Sequence, residues 1–127
     1  MVGFLQNIEE TTKANTTFRT VLYTGQHQQL VVMSLQPSED IGMEVHEIVD
    51  QFIRIESGEG KLVLNGEEYL VRDGDAFVIP AKTQHNVINM SAQHALQLYT
   101  IYAPPHHKDG TIHKTKQDAV TDAADHI

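Results

Sequence analysis

Two short segments of this chain carry polar side chains at spacings that suit a single site. The first segment contains Glu44, His46, Gln51 and Gly58, and the second contains Gly74, Pro80, His85 and Asn89. Carboxylate, imidazole and amide groups are the ligands that divalent metals use in proteins. The two segments therefore predict a metal site that two distant strands assemble within one small β-barrel.

The spacing within the first segment places its polar side chains on one face. Side chains two residues apart point to the same side of a strand, so Glu44 and His46 point together in the short strand predicted at 43–46. Gln51 begins another strand, whose same-face residues Ile53 and Ile55 are candidate core. A buried amide without a partner costs about 1–3 kcal/mol, which a metal, a water network or a ligand would offset.

Simpler interpretations stay open when each segment is considered alone. Glu44 and His46 also suit a half-exposed strand whose outer face is wet, and His85 suits a loop histidine with an ordinary hydrogen-bond partner. Only the two segments together favour a metal site.

The elements that must position these residues are strands. Strands and turns recur about every eight to twelve residues with no helical period between them, which is typical of an all-β sandwich or barrel. Asn65-Gly66 is a strong hairpin signal. The lead-in at 8–13 shows no helical face, and 117–124 suits a short helix or disorder. The predicted strands are 18–24, 29–35, 43–46, 51–56, 61–64, 67–71, 76–79, 85–89 and 95–102.

Composition narrows the class of protein. The 127 residues include nine basic and seventeen acidic side chains, for a net charge of −8. This charge argues against nucleic acid and anionic membranes as partners. The chain has no cysteine, which excludes disulfides and thiolate zinc sites. It shows neither a secretory signal nor an apolar stretch of about 20 residues, so we expect a cytoplasmic protein.

The two segments resemble the two sequence motifs of the cupin superfamily. The first family motif is histidine, one spacer, histidine, three or four spacers, glutamate, six spacers and glycine. The second is glycine, five spacers, proline, one spacer, glycine, two spacers, histidine, three spacers and asparagine. The resemblance covers roughly residues 28–103, and the fifteen residues between the motifs match the short hairpin of small bacterial cupins. The residues at the corresponding positions of this chain are Glu44, His46, Gln51 and Gly58, then Gly74, Pro80, Lys82, His85 and Asn89.

Four positions depart from the family pattern. Glu44 replaces the first histidine and Gln51 replaces the glutamate, whereas Lys82 replaces the inner glycine of the second motif and Ser38 stands where the first motif has its leading glycine. The usual shell of three imidazoles and one carboxylate becomes two imidazoles, a carboxylate and an amide. The summed charge of the ligands is unchanged, which suggests an altered metal site rather than a lost one.

The resemblance implies a divalent metal held by Glu44, His46, Gln51 and His85. Two imidazoles and two oxygens suit zinc, manganese, iron or nickel, and the choice among them stays open. A bound metal would act as a Lewis acid or lower the pKa of a bound water. Glu44 is then the candidate catalytic residue, which moves a proton.

The end of the chain resembles, more loosely, an extension found in small cupins labelled mannose-6-phosphate-isomerase-like. We expect His106 and His107 to fold over the barrel mouth and, with Tyr99, to contact substrate or supply a fifth ligand; the alternative is a polar tail. That subgroup implies sugar or sugar-phosphate isomerisation on a small molecule. A metal-dependent dioxygenase and a non-catalytic small-ligand-binding cupin are the alternatives.

The predicted fold class is all-β, a single-domain cupin-type jelly-roll β-barrel with a polar C-terminal extension. The predicted boundaries are 1–17 for the lead-in, 18–103 for the barrel and 104–127 for the extension. Barrels of this kind commonly pair through their sheets, so we expect a homodimer.

Overall fold

Nine strands and two short helices form the described part of the structure, a computed structural model that describes residues 2–125. Met1, His126 and Ile127, at the outer ends of the predicted lead-in and extension, lie outside the described residues. The strands are β1 Arg19–Thr24, β2 Gln29–Leu35, β3 Asp50–Ser57, β4 Glu59–Leu64, β5 Glu67–Arg72, β6 Ala76–Ile79, β7 His85–Asn89, β8 Leu96–Ala103 and β9 Ile112–His113. The helices are α1 Ile8–Ala14 and α2 Lys116–Thr121.

The described strands form two antiparallel sheets around one core. The larger sheet has the order β6-β3-β8-β2-β1-β9 and the smaller has the order β5-β4-β7. Both sheets contribute side chains to a single buried apolar cluster, among them Val31, Ile53, Leu62, Val87 and Leu98. The structure therefore confirms a mostly β fold of two antiparallel sheets, while closure into a jelly-roll barrel stays a prediction.

The hairpin signal at Asn65-Gly66 is confirmed. Asn65 and Gly66 have φ values of 47° and 84°, and they join Leu64 of β4 to Glu67 of β5, which lie opposite each other. Positive φ at both central residues is what a type I′ turn requires.

Three local predictions were incomplete. Residues 43–46 form a single bridge at Glu44 rather than a regular strand. Helix α1 was missed because its stabilisation is local: the Asn7 side chain caps the Glu10 N–H at 3.0 Å, and the Lys13 Nζ lies 2.8 Å from Glu9. Strand β9 was missed because two residues are too few to show a period. Among the described residues, no helix is both long and apolar enough to cross a membrane.

Candidate metal centre

The two distant segments meet where Glu44 lies opposite His85. The backbone N–H of each residue donates to the carbonyl of the other at 2.9 Å, and the two form an isolated antiparallel bridge. Directly opposed residues of an antiparallel pair project their side chains to the same side. This pairing explains why residues 41 positions apart share one site.

A bulge precedes Glu44. Asp40 is bridged to Ile88 and Glu44 is bridged to His85, so four residue steps on one side face three on the other. Such an extra residue bends a strand and redirects its side chains. Gly42 lies inside this bulge with a φ of 112°, a conformation that glycine adopts without strain.

The side chain of Asn86 holds the bulge in place. Its Oδ1 accepts from the Gly42 N–H at 2.9 Å, and its Nδ2 donates to the Asp40 carboxylate at 2.9 Å. Lys116, the first residue of α2, forms an ion pair with the same carboxylate. Helix α2 is thereby tied to the segment that carries Glu44.

The alternation expected of a strand holds from residue 43 to residue 46. Glu44 and His46 are 7% and 6% exposed, whereas Met43 and Val45 are 51% and 46% exposed. The Lys82 N–H donates to the His46 carbonyl at 2.7 Å, which fixes this end of the segment. Parity therefore predicted the direction of both polar side chains correctly without a regular strand.

Glu44, His46 and His85 bring three metal-binding groups together. Their ligand atoms all lie within 4.8 Å of one another, and each histidine Nε2 is 3.9 Å from a Glu44 carboxylate oxygen. Ligand atoms bound at about 2.1 Å to a tetrahedral ion are about 3.4 Å apart. The two distances to Glu44 are therefore about half an ångström longer than the separation of two ligands on one tetrahedral ion.

The tautomer of His85 suits metal binding. Its Nδ1 lies 2.9 Å from the Thr83 carbonyl, which can only accept, so Nδ1 carries the proton and donates. The lone pair is then on Nε2, which is buried and has no hydrogen-bond partner. This is the outer contact that metal-bound histidines commonly make.

Gln51 lies on the inner face of β3, as predicted. Its Nε2 donates to the Thr100 hydroxyl at 3.0 Å, which turns the amide so that Oε1 is buried without a partner. Gln51 also lies opposite Tyr102 in the sheet, and the Tyr102 ring is 6.0 Å from the His46 ring. Its amide oxygen is thus a candidate fourth ligand.

Burial sets the protonation of the three groups in metal-free protein. Burial raises the pKa of Glu44 to about 7, and the positive charge of Arg19 opposes this shift. Burial, helped by the charges of His106 and His85, lowers the pKa of His46 to about 4. Burial also lowers the pKa of His85. Both histidines are therefore neutral near pH 7, which is the form that binds metal.

The side chain of Gln29 anchors the segment that carries His106 and His107. Its Oε1 accepts from the His106 and His107 N–H groups at 3.1 and 2.9 Å, and its Nε2 donates to the His107 carbonyl at 2.8 Å. The His106 ring then lies 4.3 Å from the His46 ring, and the His107 ring lies 4.9 Å from Tyr102. Both histidines thus lie beside the site, and His106 is outside the cluster of three.

Tyr99 does not point toward the site, which corrects its place among the predicted contacts. The buried residues of β8 are Leu96, Leu98, Thr100 and Tyr102, so Tyr99 has the opposite parity. Its ring lies 6.1 Å from Phe52, on the outer face of the larger sheet. Thr100 and Tyr102 line the interior instead.

Other residues of the site were missed from the sequence. Gln29, Tyr102 and Asn86 are buried polar residues within strands, and Arg19 is 1% exposed. The signal for Arg19 was available: it shares parity with the core residue Val21 in a strand that is otherwise apolar on that face. The sequence carried no such signal for Gln29 and Asn86, since their partners lie far away in sequence.

The donors fit a divalent ion on structural grounds. The Nε2 atoms of His46 and His85 and the Oε1 of Gln51 are all buried without a partner. Unpaired buried polar atoms are costly, and a cation beside Glu44 would satisfy the two histidine nitrogens, with the Gln51 oxygen as a further candidate ligand. Two imidazoles with two oxygen ligands suit several first-row metals.

Together the fold and the site define a two-sheet β protein with a buried histidine and carboxylate centre. The family described as Cupin domain matches residues 31–102. This match spans more than half of the chain, and the chain belongs to the cupin family.

This chain is also similar to proteins of two Bacillus species and of a virus. The crystal structure of BH2720 from Bacillus halodurans is 46% identical, has a TM-score of 0.90, and is matched over 92% of each chain. YrkC of Bacillus subtilis is 51% identical over 92% of this chain, which spans 66% of YrkC, just under two thirds of its length. Protein L612 of Acanthamoeba polyphaga mimivirus is 44% identical over 86% of this chain and 70% of its own length.

Proposed function

We propose that this cupin is a metal-dependent enzyme that acts on a small molecule. Glu44, His46 and His85 would hold a divalent ion, with the amide oxygen of Gln51 as a fourth ligand. The observation that carries the proposal is the set of three buried, unpartnered donor atoms beside a buried carboxylate.

Isomerisation of a sugar or sugar phosphate is the reaction that we propose for this site. The ion, when bound, would supply Lewis acidity to a substrate carbonyl. Glu44 has two oxygens, so one would bind the ion and the other would take the proton from the hydroxyl-bearing carbon beside the carbonyl. Glu44 would return this proton to the carbonyl carbon, while the proton of the hydroxyl moves to the former carbonyl oxygen.

Metal content tests the first part of the proposal. We expect protein purified without chelators to contain an equimolar divalent metal, and zinc, manganese, iron or nickel to raise the melting temperature of stripped protein, since a ligand specific to the folded state stabilises it. His85→Asn should bind the metal at least about tenfold more weakly. His94→Asn is the matched control, because His94 is exposed, and it should retain the metal.

The outcomes separate the alternatives. Metal-free protein whose stability no ion changes would overturn the proposal and leave a non-catalytic ligand-binding cupin. A redox-active metal together with substrate-dependent oxygen consumption would assign a dioxygenase instead. Interconversion of an aldose and a ketose phosphate that is lost in Glu44→Gln, with the protein still folded, is the result expected for the isomerase.

A further inference from the structure

The most deeply buried charge among the described residues is Arg19, at the start of β1. Its side chain is on the inner face of the larger sheet, and the residue is 1% exposed. Removing a guanidinium from water is costly unless an anion or several hydrogen bonds compensate the charge. The surroundings of Arg19 therefore indicate what this residue is for.

The side-chain hydrogen-bond partners of Arg19 are the His113 ring and Tyr102 rather than a carboxylate. Arg19 Nη1 lies 3.3 Å from His113 Nδ1, and the other nitrogen of His113 lies 2.9 Å from Asp122. Arginine can only donate, so His113 accepts at Nδ1 and donates from Nε2 to Asp122. The Phe18 ring covers the guanidinium at 5.2 Å.

Arg19 lacks a direct counterion. Within residues 2–125, no Asp or Glu oxygen lies within 4.0 Å of its nitrogens. Its Nε is buried and has no hydrogen-bond partner. Asp122, reached through His113, has a side chain that is 32% exposed, so water screens much of its charge.

The guanidinium lies close to the candidate metal centre. Arg19 makes a side-chain hydrogen bond with Tyr102, and the Tyr102 ring lies 6.0 Å from the His46 ring. Arg19 and the candidate metal ligands therefore share one interior.

With a divalent ion bound, that interior would be short of negative charge. The ion and Arg19 would bring three positive charges, whereas Glu44 would bring one negative charge and His46 and His85 are neutral. Asp125, whose carboxylate is 3.3 Å from His107 Nδ1, adds one more negative charge. The sum of these charges is positive, in a chain whose total charge is −8. Asp122 is left out of the sum because its side chain is 32% exposed and water screens its charge.

We infer that the substrate of the metal centre is a small organic anion and that its carboxylate or phosphate group binds Arg19. This inference rests on the proposed function. Guanidinium pairs with both anions through parallel N–H donors, and an anion would offset the buried charge that the protein itself leaves uncompensated.

Anion binding to metal-loaded protein tests this inference. Isothermal titration uses glycolate, inorganic phosphate and glycolamide, the neutral analogue of glycolate. We expect one of the two anions to bind at least about tenfold more tightly than glycolamide, a difference typical of a charge-assisted pair. Whether glycolate or phosphate binds distinguishes a carboxylate substrate from a phosphate substrate.

Variants connect the binding to Arg19. Arg19→Met should weaken the anion at least about tenfold, and Arg19→Lys should retain part of the affinity because it keeps the charge. Arg54→Met is the matched control, since Arg54 pairs with Glu56 at 3.5 Å and its side chain is 40% exposed. Replacing a buried charge with an apolar side chain is often tolerated, and circular dichroism checks the fold.

The possible failures are distinguishable. Wild-type protein that takes up no metal overturns the proposed function. Protein that binds metal but binds glycolate, phosphate and glycolamide alike overturns the anion inference alone. Equal anion affinity in wild type and Arg19→Met also overturns it, and the comparison of charged and neutral probes decides the matter if the variants do not fold.

Discussion

Replacing Gln29 with methionine should release the chain segment that carries His106 and His107 beside the candidate metal centre. Gln29 is 0% exposed, and its amide makes three hydrogen bonds to the backbone of His106 and His107 and one to the Thr24 hydroxyl. Methionine has a similar length and fills the same volume. The variant therefore removes the polar contacts while it largely keeps the packing.

The size of the effect follows from which bonds are buried. The two bonds to His107 are buried, whereas the bond to His106 is partly buried. An orphaned buried group costs about 1–3 kcal/mol, and a partly buried group recovers water. We expect a loss of about 3 kcal/mol in the free energy of unfolding, which is about 10 °C in melting temperature for a chain of this size.

Urea unfolding measures the loss, and Gln28→Met is the matched control because Gln28 is its exposed neighbour. The control should stay within about 0.5 kcal/mol of wild type. Hydrogen exchange at the His107 amide should accelerate in Gln29→Met, since local opening becomes easier. Equal stability of the two variants, with His107 exchange unchanged, would show that Gln29 does not hold the segment.

Three further predictions concern backbone conformation and acid stability. Lys82→Gly should stabilise the fold by about 0.5–1 kcal/mol in urea unfolding, because Lys82 has a φ of 71°. Gly58→Ala should lower the free energy of unfolding by about 2–4 kcal/mol, since a Cβ there would lie 2.7 Å from a backbone oxygen. Gly66→Ala is the control, because a Cβ there would have nothing within 4 Å, and it should cost about 1 kcal/mol. Equal losses in the two variants would contradict this prediction. The hydrogen bond with His113 lowers the pKa of Asp122 below 3.8, so the ionised Asp122 carboxylate stabilises the folded protein. This stabilisation is complete above pH 3.8 and is lost as the pH falls through the lowered pKa. Asp122→Asn should therefore flatten the acid limb of a stability–pH profile, and an unchanged limb would refute the assignment.

The chain keeps a left-handed backbone at two positions where the family motifs have glycine, although neither residue here is glycine. Ser38 and Lys82 stand at two glycine positions of the family motifs, and both have positive φ, 66° and 71°. The sequence showed that glycine was absent there but not that the left-handed backbone would persist. Neighbouring contacts impose that conformation, among them the bond from the Lys82 N–H to the His46 carbonyl.

The eight longer strands were predictable because their signals are local. Alternation, β-branched residues and turn residues report on a few neighbours at a time, and strands such as β2 and β7 begin and end where the sequence indicated. The same parity correctly directed Glu44, His46 and Gln51 inward. Parity did not decide which of two adjacent residues of β8, Tyr99 or Thr100, faces inward.

The sequence by itself determined the family, the strand pattern and the inward direction of the candidate ligands, because motif spacing and parity are properties of short stretches of chain. Only the tertiary structure decided that Glu44 lies opposite His85, that Gln29 holds His106 beside His46, and that Arg19 shares the interior with them. Those contacts join residues far apart in sequence, so no local period records them. The candidate metal site that the spacing predicted is therefore, in three dimensions, a buried cluster of Glu44, His46 and His85. Arg19 lies in the same interior and has no directly paired carboxylate within residues 2–125.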